Sequence, residues 1–176
     1  MQPLPLILDR IASPLGEILY VGDRHQRTYA LDFSDCEARM QRLLARYAPG
    51  GRLETGKLAW ARASLQAYFE GKLAAFGSLV LHSGGTTMQD AVWQALRRIP
   101  AGTTHSYSAV AQAVGNPRAV RAVASANARN PIAIIVPCHR VIGRDGKLTG
   151  YAGGLWRKEW LLRHEGGFPA ECASQV

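Results

Sequence analysis

The sequence has few cysteines, no long apolar run and one long stretch without acidic residues. Its three cysteines, Cys36, Cys138 and Cys172, lie far apart and form no CxxC pair, which argues against a disulfide framework and a zinc site. No apolar run approaches the roughly 20 residues that span a bilayer, and the N-terminus does not resemble a secretory signal. We therefore expect a cytoplasmic protein that contacts no membrane and holds no metal or other cofactor.

The stretch without acidic residues lies between Asp90 and Asp145 and contains seven arginines. The net charge of +8 is therefore concentrated in the C-terminal half, and the rest of the chain is close to neutral. Such a concentration is typical of proteins that bind a polyanion, because each neutralised phosphate releases counterions. A solvated basic surface explains the same charge equally well.

The N-terminal half predicts an α/β domain. Residues 6–33 form short apolar segments broken by turn signals, the pattern of an antiparallel β-meander. Apolar residues then recur at helical spacing within residues 35–47 and 58–69, which predicts two helices on one face of the sheet. A polar, glycine-rich run at residues 82–85 marks a boundary. We expect an N-terminal domain with a structural role over residues 1–84 and a second domain over residues 85–176.

The C-terminal half predicts a mostly helical domain. A helix that begins at Thr87 and stops at Pro100 is followed by two short helices, residues 108–114 and 118–128, around a Gly-Asn-Pro turn. This pair has the length of a helix-turn-helix. The rest predicts a buried extended segment at residues 132–136, a hairpin turn at Asp145-Gly146 and a final helix at residues 156–164.

The second helix of this pair consists largely of small residues. A helix with ordinary side chains is about 10–12 Å across, whereas the minor groove of DNA is about 6 Å wide. Small side chains would let the helix enter that groove, with Arg121 as its long projecting group. An alanine-rich helix in the protein core is the alternative.

Cys138 is followed directly by His139 and Arg140. A thiol reacts as thiolate, and cationic or imidazole groups nearby favour that form. His139, Arg140 and Arg144 supply such groups. Because neighbouring side chains in an extended segment point to opposite sides, we expect a bridging water between Cys138 and His139 and a carboxylate, with Glu165 as candidate, behind the imidazole. A chance Cys-His doublet without reactivity is the alternative.

Three motifs carry a family resemblance. They are NPIAIIVPCHRVIG at residues 130–143, TGYAGG at residues 149–154 and KEWLLRHE at residues 158–165. In this order they resemble the O6-alkylguanine-DNA alkyltransferases, closely over about residues 87–166 and in general layout before that. The resemblance implies a ribonuclease H-like N-terminal domain and a winged-helix-like C-terminal domain with the helix-turn-helix.

The resemblance also implies a role for each matching residue. Cys138 would accept the alkyl group, activated through water by His139 with Glu165 behind it, and Asn130 would brace the active-site turn. Tyr107 would aid rotation of the nucleotide and protonate the leaving guanine, and Lys158 would lie near the active site. Arg121 would fill the gap left by the flipped base. The guanine pocket would be lined by Val141, Tyr151 and Ala152, and further DNA contacts would come from Ala122, Ser125 and Ala126.

The function implied by the resemblance is DNA repair by a monomer that binds duplex DNA through the minor groove. The protein would flip O6-alkylguanine, and O4-alkylthymine, out of the duplex and transfer the alkyl group irreversibly to Cys138. Water cannot readily displace the resulting thioether, so one molecule would repair one lesion. Two alternatives stand beside this: an alkyltransferase-like protein that recognises the lesion without transfer, which would lack Cys138, and a thiol hydrolase, against which the adjacency of Cys138 and His139 argues.

Overall fold

The computed structural model describes residues 3–168, which form two compact units. The first unit runs to Thr86 and also includes Pro131–Ile135, and the second comprises Thr87–Asn130 and the chain from Val136 onward. The short segment joins the first unit because the Leu31 N–H donates to the Pro131 carbonyl at 3.0 Å and the Ala133 N–H donates to the Leu31 carbonyl at 2.9 Å. The second unit is therefore interrupted in sequence. Cys172 lies outside the described residues.

A sheet of five strands organises the described part of the first unit. Its elements are β1 (Leu4–Ile11), β2 (Ile18–Gly22), β3 (Arg27–Phe33), α1 (Glu37–Tyr47), β4 (Gly51–Thr55), α2 (Ala59–Phe69) and β5 (Val80–Leu81). Strands β1, β2 and β3 form the predicted antiparallel meander, while β4 and β5 pair in parallel with β1 and β3. Each flanking strand follows a helix, which supplies the long connection that a parallel neighbour requires.

The two helices of the first unit lie on opposite faces of the sheet. Leu19 and Val21 of β2 pack with Met40 of α1 in one apolar cluster. Tyr20, between them in the strand, points the other way, and its ring meets that of Trp60 in α2 edge-on at 5.6 Å. The prediction that both helices cover one face is therefore wrong, because helical periodicity does not specify the sheet face that a helix covers.

Helices dominate the second unit. Its elements are α3 (Thr87–Arg97), β6 (His105–Ser106), α4 (Tyr107–Ala113), α5 (Val120–Ala128), a 3₁₀ turn (Cys138–Arg140), β7 (Val141–Ile142) and α6 (Leu155–His164). The hydroxyl of Ser106 caps α4 by accepting the Ala109 N–H at 3.1 Å. Helices α4 and α5 are the pair predicted as a helix-turn-helix. No helix among residues 3–168 has both the length and the apolar character needed to cross a membrane.

The chain between α5 and α6 differs from two predictions. Residues 132–136 are buried as expected, but the extended backbone stops at Ile132, and Ile134 adopts a left-handed φ of +68° within a turn. The predicted hairpin at Asp145-Gly146 is a tight turn, in which the Gly146 N–H donates to the Gly143 carbonyl at 3.0 Å. Strand β7, before this turn, pairs in parallel with β6. The dipeptide thus marks a turn correctly, while the partner of β7 comes from a distant part of the chain.

Candidate active site

Cys138 begins the 3₁₀ turn and is 6% exposed. The Cys138 N–H donates to the Val136 carbonyl at 2.8 Å, and the side-chain amide of Asn130 donates to the same carbonyl at 2.7 Å. Asn130 thus binds the segment that leads into this turn, and its role as a brace stays a prediction. The expectation of an extended backbone at Cys138 and His139 is wrong, because the Arg140 N–H donates to the Pro137 carbonyl at 3.0 Å and closes a turn.

His139 and Glu165 form a buried pair beside this turn. His139 Nε2 lies 2.9 Å from Oε1 of Glu165, and both side chains are 0% exposed. A carboxylate accepts hydrogen bonds, so Nε2 carries the proton in a neutral ring and Nδ1 is left with its lone pair. Within residues 3–168, Nδ1 has no hydrogen-bond partner. The ring is therefore oriented as a base at Nδ1.

Arg140 binds the same carboxylate. Its Nε donates to Oε2 of Glu165 at 2.9 Å, its Nη2 donates to Oε1 at 2.9 Å, and its Nη1 donates to the Ile99 carbonyl at 2.6 Å. We expected Arg140 and Arg144 to act as cations near the thiol. Arg144 is exposed, and Arg140 instead contacts Glu165. These two residues are 25 positions apart, so a local sequence pattern does not predict their contact.

Burial and pairing set the protonation of both members of the pair. Burial opposes the ionisation of Glu165, but the hydrogen bonds from His139 and Arg140 outweigh it and hold the pKa of Glu165 far below its ordinary value. Burial lowers the pKa of His139, Glu165 opposes that shift, and Arg140 adds to it. At neutral pH the pair is therefore an anionic carboxylate and a neutral imidazole.

Lys158 is a fully buried cation that joins the turn to the loop before α6. Its Nζ donates to the carbonyls of Val141 at 2.6 Å, Thr149 at 2.9 Å and Gly150 at 3.4 Å. Burial lowers the pKa of Lys158 to about 8, and the electrostatic attraction of Cys138 partly opposes this shift. Lys158 thus holds two backbone segments together and acts electrostatically on Cys138.

The residues predicted to line a guanine pocket lie near Lys158 and the carbonyl groups that it binds. Val141 is buried and offers its carbonyl to Lys158, while Tyr151 is half-buried and Ala152 is exposed. Tyr107, at the start of α4, accepts a hydrogen bond from the Thr149 hydroxyl at 3.3 Å. The loop that carries Tyr151 and Ala152 is therefore tied both to Tyr107 and to Lys158.

Helix α5 has a surface face and a core face. Arg121 and Ala122 are exposed, and Ser125 is half-buried and accepts a hydrogen bond from Arg129. Ala126 is 2% exposed, so its methyl group lies in the core, and its contact with DNA stays a prediction. The surface face keeps the long Arg121 side chain beside a small neighbour.

No three His, Cys, Asp or Glu side chains gather closely enough within residues 3–168 to hold a metal ion. The other described cysteine, Cys36, is partly exposed.

Two family models match the chain over most of its length. Residues 8–82 match the model described as 6-O-methylguanine DNA methyltransferase, ribonuclease-like domain. Residues 87–167 match the model described as 6-O-methylguanine DNA methyltransferase, DNA binding domain. The two matched ranges correspond to an α/β part and a DNA-binding part, in agreement with the predicted fold class.

Individual relatives match nearly end to end. The chain is 47% identical over 166 residues to the methylated-DNA–protein-cysteine methyltransferase of Salmonella typhimurium, covering 93% of this chain and 97% of that protein. It is 49% identical over 158 residues to the protein of the same name in Methanosarcina barkeri, covering 89% and 95%. It resembles the crystal structure of Mycobacterium tuberculosis OGT in complex with DNA, with a TM-score of 0.77, 40% identity and coverage of 94% and 97%. The chain therefore belongs to the 6-O-methylguanine DNA methyltransferase family.

Proposed function

We propose that this protein repairs DNA by transferring an alkyl group from the O6 atom of guanine to Sγ of Cys138. The observation that carries the proposal is the buried pair of His139, on the turn that begins with Cys138, and Glu165, at the end of α6. A Cys-His doublet without a carboxylate behind it would lack the means to hold the imidazole in one tautomer. Here the carboxylate is present and Nδ1 is unpartnered among residues 3–168.

The thiol proton leaves through His139. A water bridges Sγ of Cys138 and Nδ1 of His139, so that the imidazole takes the proton and Glu165 stabilises the imidazolium through Nε2. The ammonium of Lys158 stabilises the thiolate, consistent with its electrostatic interaction with Cys138. His139, Glu165 and Lys158 thus each have a role in producing or stabilising the thiolate.

The transfer is a displacement at the alkyl carbon. The S–C bond forms as the C–O6 bond breaks, and the bonding electrons leave with guanine, which requires a proton or a hydrogen bond. Tyr107 supplies the proton, because its hydroxyl oxygen already accepts from Thr149 and its own O–H is left to donate. The thioether has no leaving group that water readily displaces, so each molecule acts once.

Access to the alkyl carbon requires that the nucleotide leave the base stack, because the duplex hides that atom. The exposed side of α5 enters the minor groove with Ala122 and Ser125, while Arg121 fills the gap left by the flipped base. Val141, Tyr151 and Ala152 receive the guanine, or an O4-alkylthymine. Support comes from the exposure of Arg121 and Ala122, from the arginines without acidic neighbours around them in sequence, and from the relative crystallised with DNA.

We further propose that the protein is a monomer that acts in the cytoplasm. The second domain, predicted at residues 85–176, binds DNA and carries out the alkyl transfer. The domain predicted at residues 1–84 has a structural role. That role predicts that a fragment of residues 85–176 is less stable and repairs DNA more slowly than the whole chain.

Intact-protein mass spectrometry with peptide mapping tests the proposed reaction. The protein is incubated with a duplex that carries one O6-methylguanine, and we expect one added methyl group on Cys138 that stops at one equivalent. Cys138→Ala abolishes the addition, whereas Cys36→Ala, at the other described cysteine, leaves it unchanged. Tight lesion-selective binding without a mass change would indicate a recognition protein instead, and repeated turnover of an ester or amide substrate would indicate a thiol hydrolase.

A further inference from the structure

Arg140 is a buried cation that donates three hydrogen bonds beside the His139–Glu165 pair. Two of these bonds reach different oxygens of Glu165, and the third reaches the Ile99 carbonyl beyond α3. Oε1 of Glu165 therefore accepts from both Arg140 and His139. A single carboxylate is shared between a permanent cation and a titratable base.

A buried carboxylate beside a histidine has two opposite effects. It orients the imidazole ring, and it also draws a proton onto the ring, because a nearby negative charge favours the imidazolium form. A protonated His139 has no lone pair at Nδ1 with which to accept the thiol proton. The proposed reaction therefore needs the orienting effect of Glu165 without the full effect of its charge.

We propose that Arg140 is a positioning residue that neutralises Glu165 and thereby keeps His139 an unprotonated base, with its free lone pair at Nδ1. This inference rests on the proposed function of Cys138 as alkyl acceptor. Arg140 acts through Glu165 and not on the reacting atoms. It extends the relay of Cys138, His139 and Glu165 by a fourth side chain, whose charge does not change during the reaction.

The geometry suits arginine in particular. A guanidinium presents its donors in a fixed planar fork that matches both oxygens of a carboxylate, which a lysine ammonium cannot reproduce. The third bond, to the Ile99 carbonyl at 2.6 Å, holds the fork from the opposite side. The guanidinium thereby neutralises the charge of Glu165 and also holds the carboxylate in one orientation.

The charged groups that face His139 act in known directions. Burial lowers the pKa of His139, Glu165 opposes the shift, and Arg140 and Lys158 reinforce it. Cys138, on the same turn, is the proton donor, and α5 contributes the neutral amide of Asn127, which donates to the Cys138 carbonyl at 3.5 Å. Loss of the Arg140 charge should therefore raise the pKa of His139. As the pH is lowered, the rate of methyl transfer should then begin to fall at a higher pH than in wild type.

The test is the pH dependence of single-turnover methyl transfer from an O6-methylguanine duplex to Cys138, normalised to the fraction of molecules that accept a methyl group. For Arg140→Gln we expect the midpoint of the acid-side decline to rise by roughly one pH unit. Arg157→Gln is the matched control, since Arg157 is also buried and donates to a backbone carbonyl, that of Gly153, at 2.9 Å. It should lower stability and leave the midpoint unchanged.

A purely structural Arg140 would lower the melting temperature and the active fraction without moving the midpoint, and that result would overturn the proposal. If Arg140→Gln does not fold, a ¹⁵N titration of His139 in wild type and Arg140→Lys decides. The wild-type ring should be the Nε2–H tautomer, and the lysine variant should protonate at a higher pH because an ammonium cannot reproduce both hydrogen bonds of the guanidinium to Glu165. Identical titrations would contradict the role of the fork. Failure of wild type to methylate Cys138 would instead refute the proposed function.

Discussion

The two units bury acidic side chains in different ways. In the first unit, Asp9 is 2% exposed but pairs at 2.6 Å with Arg62, which is 40% exposed. In the second unit, Glu165 and His139 are both 0% exposed, and Arg140 is 10% exposed. Water thus shares the charge of the cation that pairs with Asp9, whereas the charges around Glu165 are compensated almost entirely by protein groups.

Under the proposed function, the first contact supports the fold and the second prepares a reaction. Asp9 also accepts the Leu58 N–H at 2.9 Å, just before α2, so it ties that helix to β1. Glu165, at the end of α6, contacts the 3₁₀ turn and there fixes the tautomer of a histidine next to a cysteine. Weak solvent screening makes the second arrangement able to shift pKa values strongly, and perturbed ionisable groups of this kind are typical of functional sites.

Loss of the nucleophile should have the largest effect. Cys138→Ala is expected to abolish methyl transfer completely, while lesion-selective DNA binding and thermal stability stay close to wild type. Gel-shift assays and thermal melts, run beside the mass measurement, check this. Residual methylation of the variant protein would place the acceptor elsewhere.

Neutralising the buried acid of each unit tests the comparison directly. Glu165→Gln leaves the Arg140 charge without its counter-ion and is expected to lower the free energy of unfolding by about 3–5 kcal/mol. Asp9→Asn should cost clearly less, because the partly exposed Arg62 regains contact with water. Urea denaturation at pH 7 measures both, and equal losses would remove the distinction between the two units.

The cost of Glu165→Gln should depend on pH. The pKa of Glu165 is lower in the folded protein than its ordinary value of 4.5, so its stabilising contribution is complete above that value and is lost as the pH falls below it. The stability difference between wild type and variant should therefore shrink between pH 7 and pH 3. A difference that stays constant in urea melts across this range would show that charge is not its origin.

The surface of α5 offers a smaller effect with a control in the first unit. Ala122→Trp adds bulk where we propose entry into the minor groove, and we expect at least about a tenfold loss of DNA affinity, roughly 1.4 kcal/mol. Ala63→Trp makes the same change at an exposed position of α2 and should leave affinity unchanged. Fluorescence anisotropy with a labelled duplex compares them, and equal effects would argue against a role of α5 in binding.

The smallest effect concerns a polar contact of the second unit that lies outside the relay. Ser106→Ala removes the cap of α4 and is expected to cost about 1 kcal/mol, with little change in the methyl-transfer rate per active molecule. Chemical denaturation and single-turnover kinetics measure the two quantities. A large loss of rate would mean that polar contacts throughout the second unit, and not only those at Glu165, are tuned to the reaction.

Local patterns predicted the fold class, the β1–β3 meander and the helices. They failed where the answer depended on distant contacts. Helical periodicity identified an apolar stripe on α2 but not the sheet face that it covers, and Asp145-Gly146 predicted a turn but not the partner of β7. Ala126 illustrates the same limit, because a small residue suits a groove or a core equally well until its neighbours are known.

Sequence alone determined the chemistry available to this protein: a cysteine followed by histidine, a glutamate at the end of the last helix, and the ordered motifs that place it in its family. Only the tertiary structure decided how the charges are shared. The contact of Arg140 with Glu165 spans 25 positions and that with the Ile99 carbonyl spans 41, so it depends on how α3, α6 and the 3₁₀ turn pack together. Burial and hydrogen bonding then set the pKa values of His139 and Glu165, because both effects depend on everything around a side chain and not on its neighbours in sequence.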